Sequence, residues 1–541
     1  MSGSTIRARQ PRGEVGSFKR STDPDEREPF LDDAAHYPGG HCDEVCFPTN
    51  EAEVAAVLAG AERVLVVGAQ SSLTGGATPQ GGTVLSTARM RDVIAWGDSS
   101  VRVGPGMVLS ELERELRRRD FYYPPVPTYD GATVGGTVAT NAAGAATFKY
   151  GTTRDWVDAI TVVLASGDVL DIRRGETSAG GDGRFTIEPA RGHPIAFAIP
   201  GYTMPAVRKH SAGYYAKPGM DLIDLFIGAE GTLGVVTEVE LRLSAPRPAW
   251  FAGFTPVAGD RAAIDLVAEL RAESKRTWSG AQSAETGADV AAVEYIDGRC
   301  LELLREDGAF AQVGIPCPDD AGAAVIFQAE LPAGTTRDAA FEQLGRLDSA
   351  GVETPLLRLC RILVDHGVFD RTLPVLPGET GRRDALLRLR EAVPAGVNRR
   401  IRERQRTIDA TISKAACDVI VPFERFAESL ARYRDILGRY ELDHAIWGHI
   451  SDGNVHPNIL PADGEQMARA GRALIELGDA AIALGGCPMS EHGVGRSPLK
   501  QELLRRLYGD DGVAAMRAVK QALDPEWLLA PGVLFAQPAS E

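Results

Sequence analysis

The stretch at residues 130–154, DGATVGGTVATNAAGAATFKYGTTR, constrains this chain most, because it has little that a hydrophobic core needs. Its glycines let the backbone approach a ligand closely or adopt positive φ, and the threonine hydroxyls between them can donate hydrogen bonds. The alternative is a plain Gly/Ala-rich surface loop. Such a long loop is seldom without a function, however, and Val134 and Val138 would be poorly placed in water. The composition therefore predicts a loop that cradles an anionic group such as a pyrophosphate.

Two further Gly-rich segments precede residue 245. The apolar run RVLVVG at residues 63–68 predicts a buried strand that leads into AQSSLTGG at residues 69–76, where backbone amides could capture an anion. That loop lacks the lysine of a P-loop and the spacing of a Rossmann fingerprint, and a simple hairpin turn is the alternative. The third segment, at residues 221–243, joins an apolar run to a Gly-punctuated turn and an alternating strand.

Composition narrows the class of protein. With 541 residues, 44% of them hydrophobic, the chain can form about two to four domains. A net charge of -16 argues against nucleic acid or an anionic membrane surface as a partner. Seven scattered cysteines predict free thiols in a reducing, cytoplasmic compartment. The polar residues 1–30 predict a flexible leader, and the chain has no apolar run long enough for a transmembrane helix, which leaves only peripheral membrane association.

The segments VVGAQSSLTGGA, GGTVATNAAG, YGTTRDWV and FIGAEGTLGVVTE together carry a resemblance. In this order they resemble the flavin-binding domain of the vanillyl-alcohol oxidase and p-cresol methylhydroxylase superfamily, and are most similar to its D-2-hydroxyacid dehydrogenase and glycolate oxidase group. The resemblance implies an α+β fold with a two-subdomain FAD-binding domain of the p-cresol methylhydroxylase type, an antiparallel-sheet substrate (cap) domain and a C-terminal segment that returns to the flavin. The corresponding boundaries are residues 31–245, 246–440 and 441–541, after the leader at 1–30.

The resemblance also implies FAD as the cofactor. We expect it to be bound noncovalently, because no histidine or cysteine matches a covalent tether. The residues expected to contact it are Gly68, Gln70, Ser71, Ser72, Leu73, Thr74, Gly75, Thr133, Gly135, Gly136, Thr140, Asn141, Gly144, Tyr150, Gly151, Glu230, Gly231, Gly234 and Val235.

A candidate metal site lies in the second half of the chain, in GHISDGNVHPN and GGCPMSEHGVGR. His449 and His456 are seven residues apart, so on one continuous strand they would point to opposite faces, and only a turn at residues 451–454 could bring them together. Adding Glu491 makes two imidazoles and a carboxylate, a donor set suited to a divalent ion. The alternative is that the histidines cap a turn and Glu491 lies on the surface.

The family resemblance favours the metal reading. His449, His456 and Glu491 match the metal ligands of metal-dependent D-2-hydroxyacid dehydrogenases, for which zinc or manganese is expected. Asn458 and His492 match substrate-site residues, and a neutral His492 is our candidate for the base that takes the hydroxyl proton.

An arginine-rich segment at residues 382–406 holds nine arginines, and for most of them we expect a solvated helix face. Arg390 is the exception, because Arg390 and Glu391 resemble the family's Arg-Glu dipeptide, whose arginine grips the substrate carboxylate. Guanidinium geometry suits such a two-point contact. Lys414 is a further candidate on the substrate side.

These features predict flavin-dependent oxidation of a D-2-hydroxyacid, of the D-lactate, D-2-hydroxyglutarate or glycolate type, to the 2-oxoacid. Electrons would pass to an acceptor other than NAD: a quinone, a cytochrome or an electron-transfer protein. A homodimer is expected. The alternatives are an oxidase or an ether-lipid synthase on the same scaffold, or a non-catalytic flavin-binding subunit of an electron-transfer complex. The acidic Glu-His-Gly segment argues against the synthase, and the full histidine set argues against a subunit without chemistry.

Overall fold

The computed structural model describes residues 3–125, 127–349 and 351–536, so both ends of the chain, at residues 1–2 of the predicted leader and 537–541 of the predicted C-terminal segment, lie outside it. The chain folds into mixed helix and sheet in two successive parts, which confirms the predicted α+β class. Among the described residues, none of the helices combines the length and apolar composition needed to cross a bilayer. The seven cysteines are free thiols, as predicted.

The first part contains three sheets. Its strands are β1 Thr5–Arg7, β2 Lys19–Ser21, β3 Glu44–Phe47, β4 Val64–Val67, β5 Thr83–Ser86, β6 Val93–Trp96, β7 Ser100–Val103, β8 Val157–Val163, β9 Val169–Arg173, β10 Arg184–Glu188, β11 Ile195–Ala198 and β12 Val235–Arg242. Its helices are α1 Pro24–Arg27, α2 Glu51–Gly60, α3 Leu109–Arg117, α4 Val134–Thr140, α5 Thr147–Tyr150 and α6 Leu222–Phe226.

Two of these sheets form the two subdomains that the resemblance implied. The first has the order β2-β3-β5-β4, with β3, β5 and β4 parallel, and the second is antiparallel with the order β6-β7-β12-β8-β9. The predicted N-cap of α2 is present: the helix starts after Asn50, whose side chain accepts the N–H of Glu53. Along β12, alternate residues from Val235 onwards are buried, as expected for a strand with one face in a core.

Two sequence-based predictions were wrong here. The polar segment predicted as a flexible leader carries β1, which pairs with β10, and β2, which pairs with β3. The segment therefore joins two sheets, the one that contains β10 and the one that contains β3, because backbone pairing needs no apolar side chains. The stretch predicted as a loop at residues 130–154 contains the helices α4 and α5. Helix α4 starts after Thr133, whose hydroxyl accepts the N–H of Gly136.

The second part is one antiparallel sheet with helices packed on it. Its strands are β13 Ala249–Val257, β14 Val290–Asp297, β15 Ala323–Leu331, β16 Leu373–Val375, β17 Ala415–Ala416, β18 Val419–Ile420, β19 His444–Gly448 and β20 Asn454–Ile459. Its helices are α7 Asp260–Trp278, α8 Gly298–Glu306, α9 Ala309–Val313, α10 Arg337–Leu344, α11 Pro355–Asp365, α12 Thr380–Thr407, α13 Phe426–Arg439, α14 Gly464–Ala483 and α15 Pro498–Leu523. The sheet order is β16-β13-β15-β14-β19-β20-β17, with β18 also paired to β20.

The C-terminal segment packs back onto the first part, as the resemblance implied. The backbone N–H of Ala530 donates to the carbonyl of Val64 at 2.7 Å, in the strand that leads into the Gly-rich loop at residues 69–76. The buried ammonium of Lys520 donates to the carbonyl of Thr232 at 2.7 Å and to that of Leu529 at 2.8 Å. These bonds hold the end of the chain against the segments that were predicted to carry the flavin.

Candidate active site

A cavity of about 650 Å³ opens where the two parts and the C-terminal segment meet. Its walls come from the loop after β4, helix α4, the turn after α6, helix α12 and the hairpin of β19 and β20. The predicted flavin contacts and the predicted metal ligands therefore line one cavity, although they are far apart in the sequence.

Most of the predicted flavin contacts line this cavity. They are Gly68, Gln70, Ser71, Ser72, Leu73, Thr74, Thr133, Gly135, Gly136, Thr140, Glu230, Gly231 and Gly234. The glycines allow close approach: a Cβ added at Gly68 would overlap Oγ1 of Thr133, so glycine lets the loop after β4 meet α4. Gly231 has φ 72°, and no described atom lies within 4 Å of where its Cβ would stand. These open, backbone-lined walls fit an extended dinucleotide such as FAD.

The remaining six predicted contacts do not line this cavity, and their contact with the flavin stays a prediction. They are Gly75, Asn141, Gly144, Tyr150, Gly151 and Val235. The hydroxyl of Tyr150 donates a hydrogen bond of 2.7 Å to Oε1 of Glu330 on β15, at the junction of the two parts. Oδ1 of Asn141 accepts the N–H of Arg154, and Val235 is fully buried in the sheet. The three glycines form turns: Gly75 and Gly151 have positive φ, and the N–H of Gly144 donates to Thr147.

The two predicted histidine ligands come together through the predicted turn. Strand β19 ends at Gly448, a 3₁₀ turn covers Ile450–Asp452, and Gly453 at φ 89° reverses the chain into β20. The ring centroids of His449 and His456 are consequently 6.0 Å apart. Oε1 of Glu491 lies 3.3 Å from Nε2 of His449 and 3.1 Å from Nε2 of His456.

This donor set fits a divalent ion. Two imidazole nitrogens and one carboxylate oxygen converge in a buried place, as in sites for zinc and related metals. Burial lowers the pKa of His449, but Glu294 and Glu491 outweigh that effect and raise it to about 9. Burial raises the pKa of Glu491, but Lys209 and His449 hold it well below its usual value. Without an ion, these shifts favour a protonated His449 beside an ionised Glu491 at neutral pH.

Sequence reasoning missed three charged residues that surround the triad. Lys209, which is fully buried, places Nζ 3.1 Å from Oε2 of Glu491. Glu294 on β14 lies 3.1 Å from Nδ1 of His449. Asp418 lies 3.4 Å from Nδ1 of His456. No local signal marked them, because a lysine in a loop and carboxylates in or beside strands resemble ordinary solvated residues.

Asp418 holds the loop that carries Glu491 and His492. It belongs to a group of four side chains, with His456, Glu491 and His492, whose donor atoms lie within 4.8 Å of one another. Its oxygens are already occupied, however: Oδ2 accepts the backbone N–H groups of Glu491 and His492, each at 2.9 Å, and Oδ1 accepts Nδ2 of Asn454. Asp418 therefore positions the loop, and its oxygens have little capacity left for an ion.

The predicted substrate-side residues Arg390, Lys414, Asn458 and His492 all line the same cavity. Arg390 is largely buried, with Nε 3.3 Å from Oε1 of Glu294. Nδ2 of Asn458 donates to the carbonyl of His456, while its buried Oδ1 has no partner among the described residues. That oxygen is an acceptor left over for a ligand, because buried polar atoms are normally paired.

The pKa values of the two remaining groups, His492 and Lys414, are both lowered. Burial lowers the pKa of His492 to about 4, which the attraction of Asp418 only partly offsets, so this imidazole is neutral near pH 7. Its ring stacks on His456 with centroids 5.2 Å apart. Surrounding protein lowers the pKa of Lys414, although solvent still reaches its side chain.

Residues 43–173 match the family model described as FAD binding domain, and residues 279–534 match that of FAD linked oxidases, C-terminal domain. Glycolate oxidase subunit GlcD of Bacillus subtilis is 28% identical over 92% of this chain and 90% of that protein. D-lactate dehydrogenase of Archaeoglobus fulgidus is 26% identical over 90% and 89%, and mitochondrial D-2-hydroxyglutarate dehydrogenase of Bos taurus 28% over 94% and 80%.

A solved structure of alkyldihydroxyacetonephosphate synthase shares the fold, with a TM-score of 0.57 at 13% identity over 95% of this chain and 82% of the other. The two family models cover most of the elements that line the cavity, although the turn after α6 lies between the two matched ranges. The chain therefore belongs to the FAD-linked oxidases, flavoproteins with an FAD-binding domain of the p-cresol methylhydroxylase type.

Proposed function

We propose that this protein oxidises a D-2-hydroxyacid of the D-lactate, D-2-hydroxyglutarate or glycolate type to the 2-oxoacid, with FAD and a divalent metal ion. The observation that carries the proposal is the convergence of Glu491 Oε1 with Nε2 of His449 and His456, in the cavity that Arg390 also lines. Relatives named for glycolate, D-lactate and D-2-hydroxyglutarate support this substrate class. We also propose an electron acceptor other than NAD.

Arg390 provides the positive charge for the substrate carboxylate. It meets Glu294 through Nε, which leaves its terminal guanidinium nitrogens for a two-point contact with a carboxylate in the cavity. The side-chain amide of Asn458 fixes a second substrate oxygen, because Nδ2 donates one N–H to the carbonyl of His456 and has another N–H left for a ligand in the cavity. The two contacts hold a small hydroxyacid in one orientation, and orientation is a large part of the barrier reduction.

His492 takes the hydroxyl proton. Its Nδ1 faces Asp418 at 3.5 Å, so Nε2 is the nitrogen available as base, and a pKa of about 4 keeps it unprotonated at neutral pH. When bound, FAD supplies the acceptor for the α-hydrogen with its electron pair, and a divalent ion supplies the Lewis acidity that lowers the pKa of the substrate hydroxyl. The substrate thus loses one proton and one hydride equivalent and becomes the 2-oxoacid.

Anaerobic reduction of the flavin tests the proposal. Purified protein is mixed with D- and L-lactate, D- and L-2-hydroxyglutarate and glycolate, and bleaching of the flavin absorbance is followed. We expect a D-hydroxyacid or glycolate to bleach it, and chelator treatment to slow bleaching while FAD stays bound, with recovery on adding Zn²⁺ or Mn²⁺. Acid precipitation should release the flavin. A protein loaded with FAD and metal that none of these acids reduces would contradict the proposed substrate class.

A further inference from the structure

The two candidate histidine ligands have the same arrangement behind them. Nε2 of each faces Oε1 of Glu491, and Nδ1 of each faces a second carboxylate. For His449 that carboxylate is Glu294, 3.1 Å away, and for His456 it is Asp418, 3.4 Å away. Metal-bound histidines commonly donate their other ring N–H to such a group.

Glu294 contacts more than one group of the site. Its Oε1 lies 3.1 Å from Nδ1 of His449 and 3.3 Å from Nε of Arg390, and its side chain is only 13% exposed. It can reach both because β14 pairs with β19, where Tyr295 is opposite Gly448, the residue before His449. Helix α12 delivers Arg390 from the other side. One carboxylate therefore touches a candidate metal ligand and the candidate substrate-binding arginine.

We propose that Glu294 is a positioning residue that aligns His449 for the metal and Arg390 for the substrate carboxylate. This inference rests on the proposed metal-dependent function. With its carboxylate 3.1 Å from Nδ1 of His449, Glu294 favours the tautomer that carries its hydrogen on Nδ1 and keeps the lone pair on Nε2, the nitrogen that faces Glu491. Its charge, 3.3 Å from Nε of Arg390, attracts the guanidinium at that nitrogen, while the terminal nitrogens remain for the substrate.

Glu294 is a better position for a substitution than Asp418. Asp418 faces His456 in the same way, but it also accepts the N–H groups of Glu491 and His492, so replacing it would disturb the whole loop. Glu294 lies on a regular strand, and among the described residues its side chain accepts no backbone N–H in this site. Its replacement by glutamine keeps the size and an acceptor oxygen and removes the charge.

The experiment compares Glu294→Gln and Glu294→Leu with the matched control Glu273→Gln. Glu273 is a fully buried carboxylate of α7 that pairs with Arg358 at 2.9 Å and does not line the cavity. The affinity of the FAD-loaded, metal-stripped enzyme for Zn²⁺ is measured by competition with a chromophoric chelator. KM for the hydroxyacid is measured on enzyme saturated with metal, and flavin content and melting temperature are recorded for each variant.

We expect the Glu294 variants to bind Zn²⁺ about 10- to 100-fold more weakly than wild type, with leucine worse than glutamine, and to show a raised KM. Glu273→Gln should change neither quantity. Equal Zn²⁺ affinity in wild type and Glu294→Gln, or an equal loss in the Glu273 control, would overturn the positioning role and leave the metal-dependent function standing. A wild-type protein that binds no divalent ion would instead refute the proposed metal site, and this inference with it.

Discussion

Replacing Arg390 by alanine tests the substrate side of the site most directly. The side chain is only 16% exposed, so its charge interacts with a bound carboxylate in a partly desolvated place. Truncating one member of such a buried ion pair costs about 2 to 5 kcal/mol. Glu294, 3.3 Å from Nε, already neutralises part of the charge, so we expect the lower part of that range. A loss of about 2 to 3 kcal/mol corresponds to a roughly 30- to 140-fold fall in kcat/KM.

The assay is steady-state oxidation of the best hydroxyacid substrate, with flavin content measured in every variant. Arg390→Lys keeps a charge but cannot reproduce the planar fork, so its kcat/KM should lie between those of wild type and Arg390→Ala. Arg388→Ala is the matched control, because Arg388 lies on the same helix but is exposed and does not line the cavity. If Arg390→Ala and Arg388→Ala both keep wild-type kcat/KM, the carboxylate is bound elsewhere and our assignment of Arg390 is wrong.

Two further outcomes follow from the histidines. His492→Ala should lower kcat by about 10²- to 10⁴-fold with a smaller change in KM, because a base acts mainly during proton transfer; an equal kcat with a raised KM would assign His492 to binding. The pKa of about 9 for His449 means that at pH 7 an incoming metal ion must displace a proton. The affinity of the stripped enzyme for Zn²⁺ should therefore rise about tenfold per pH unit up to about pH 9 and level off above it, as chelator competition across that range would reveal; a flat profile would contradict protonation of His449.

Local structural features, such as strands, helix starts and turns, could be predicted from the sequence. The alternation of Val235 to Leu241 predicts a strand with one buried face, Asn50 predicts a helix start, and Asp452-Gly453 predicts the reversal that brings His449 and His456 together. Each of these features depends on residues within a few positions of one another. The order of the Gly-rich segments and the His/Glu motifs then indicated the family, which the family models confirm.

Long-range pairing could not be read in this way. Glu294 stands in an unremarkable strand, VAAVEYID, and becomes part of the site only because β14 lies beside β19. Tyr150 lies between Gly-rich motifs, and nothing near it in the sequence indicates that its hydroxyl donates to Glu330 of the second part. The N-terminal segment looked solvated because its side chains are polar, but its backbone pairs with β10 and β3.

There is a physical reason why local features could be predicted from the sequence and long-range contacts could not. A turn, a helix cap or an alternating strand is determined by φ/ψ preferences and by neighbours along the chain, which the sequence displays directly. Which carboxylate lies behind a given histidine, or which strand edge accepts a polar segment, depends on the packing of elements that are distant in sequence. Lys209 illustrates this: nothing beside it in the chain marks it, and only the folded protein places its ammonium 3.1 Å from Glu491.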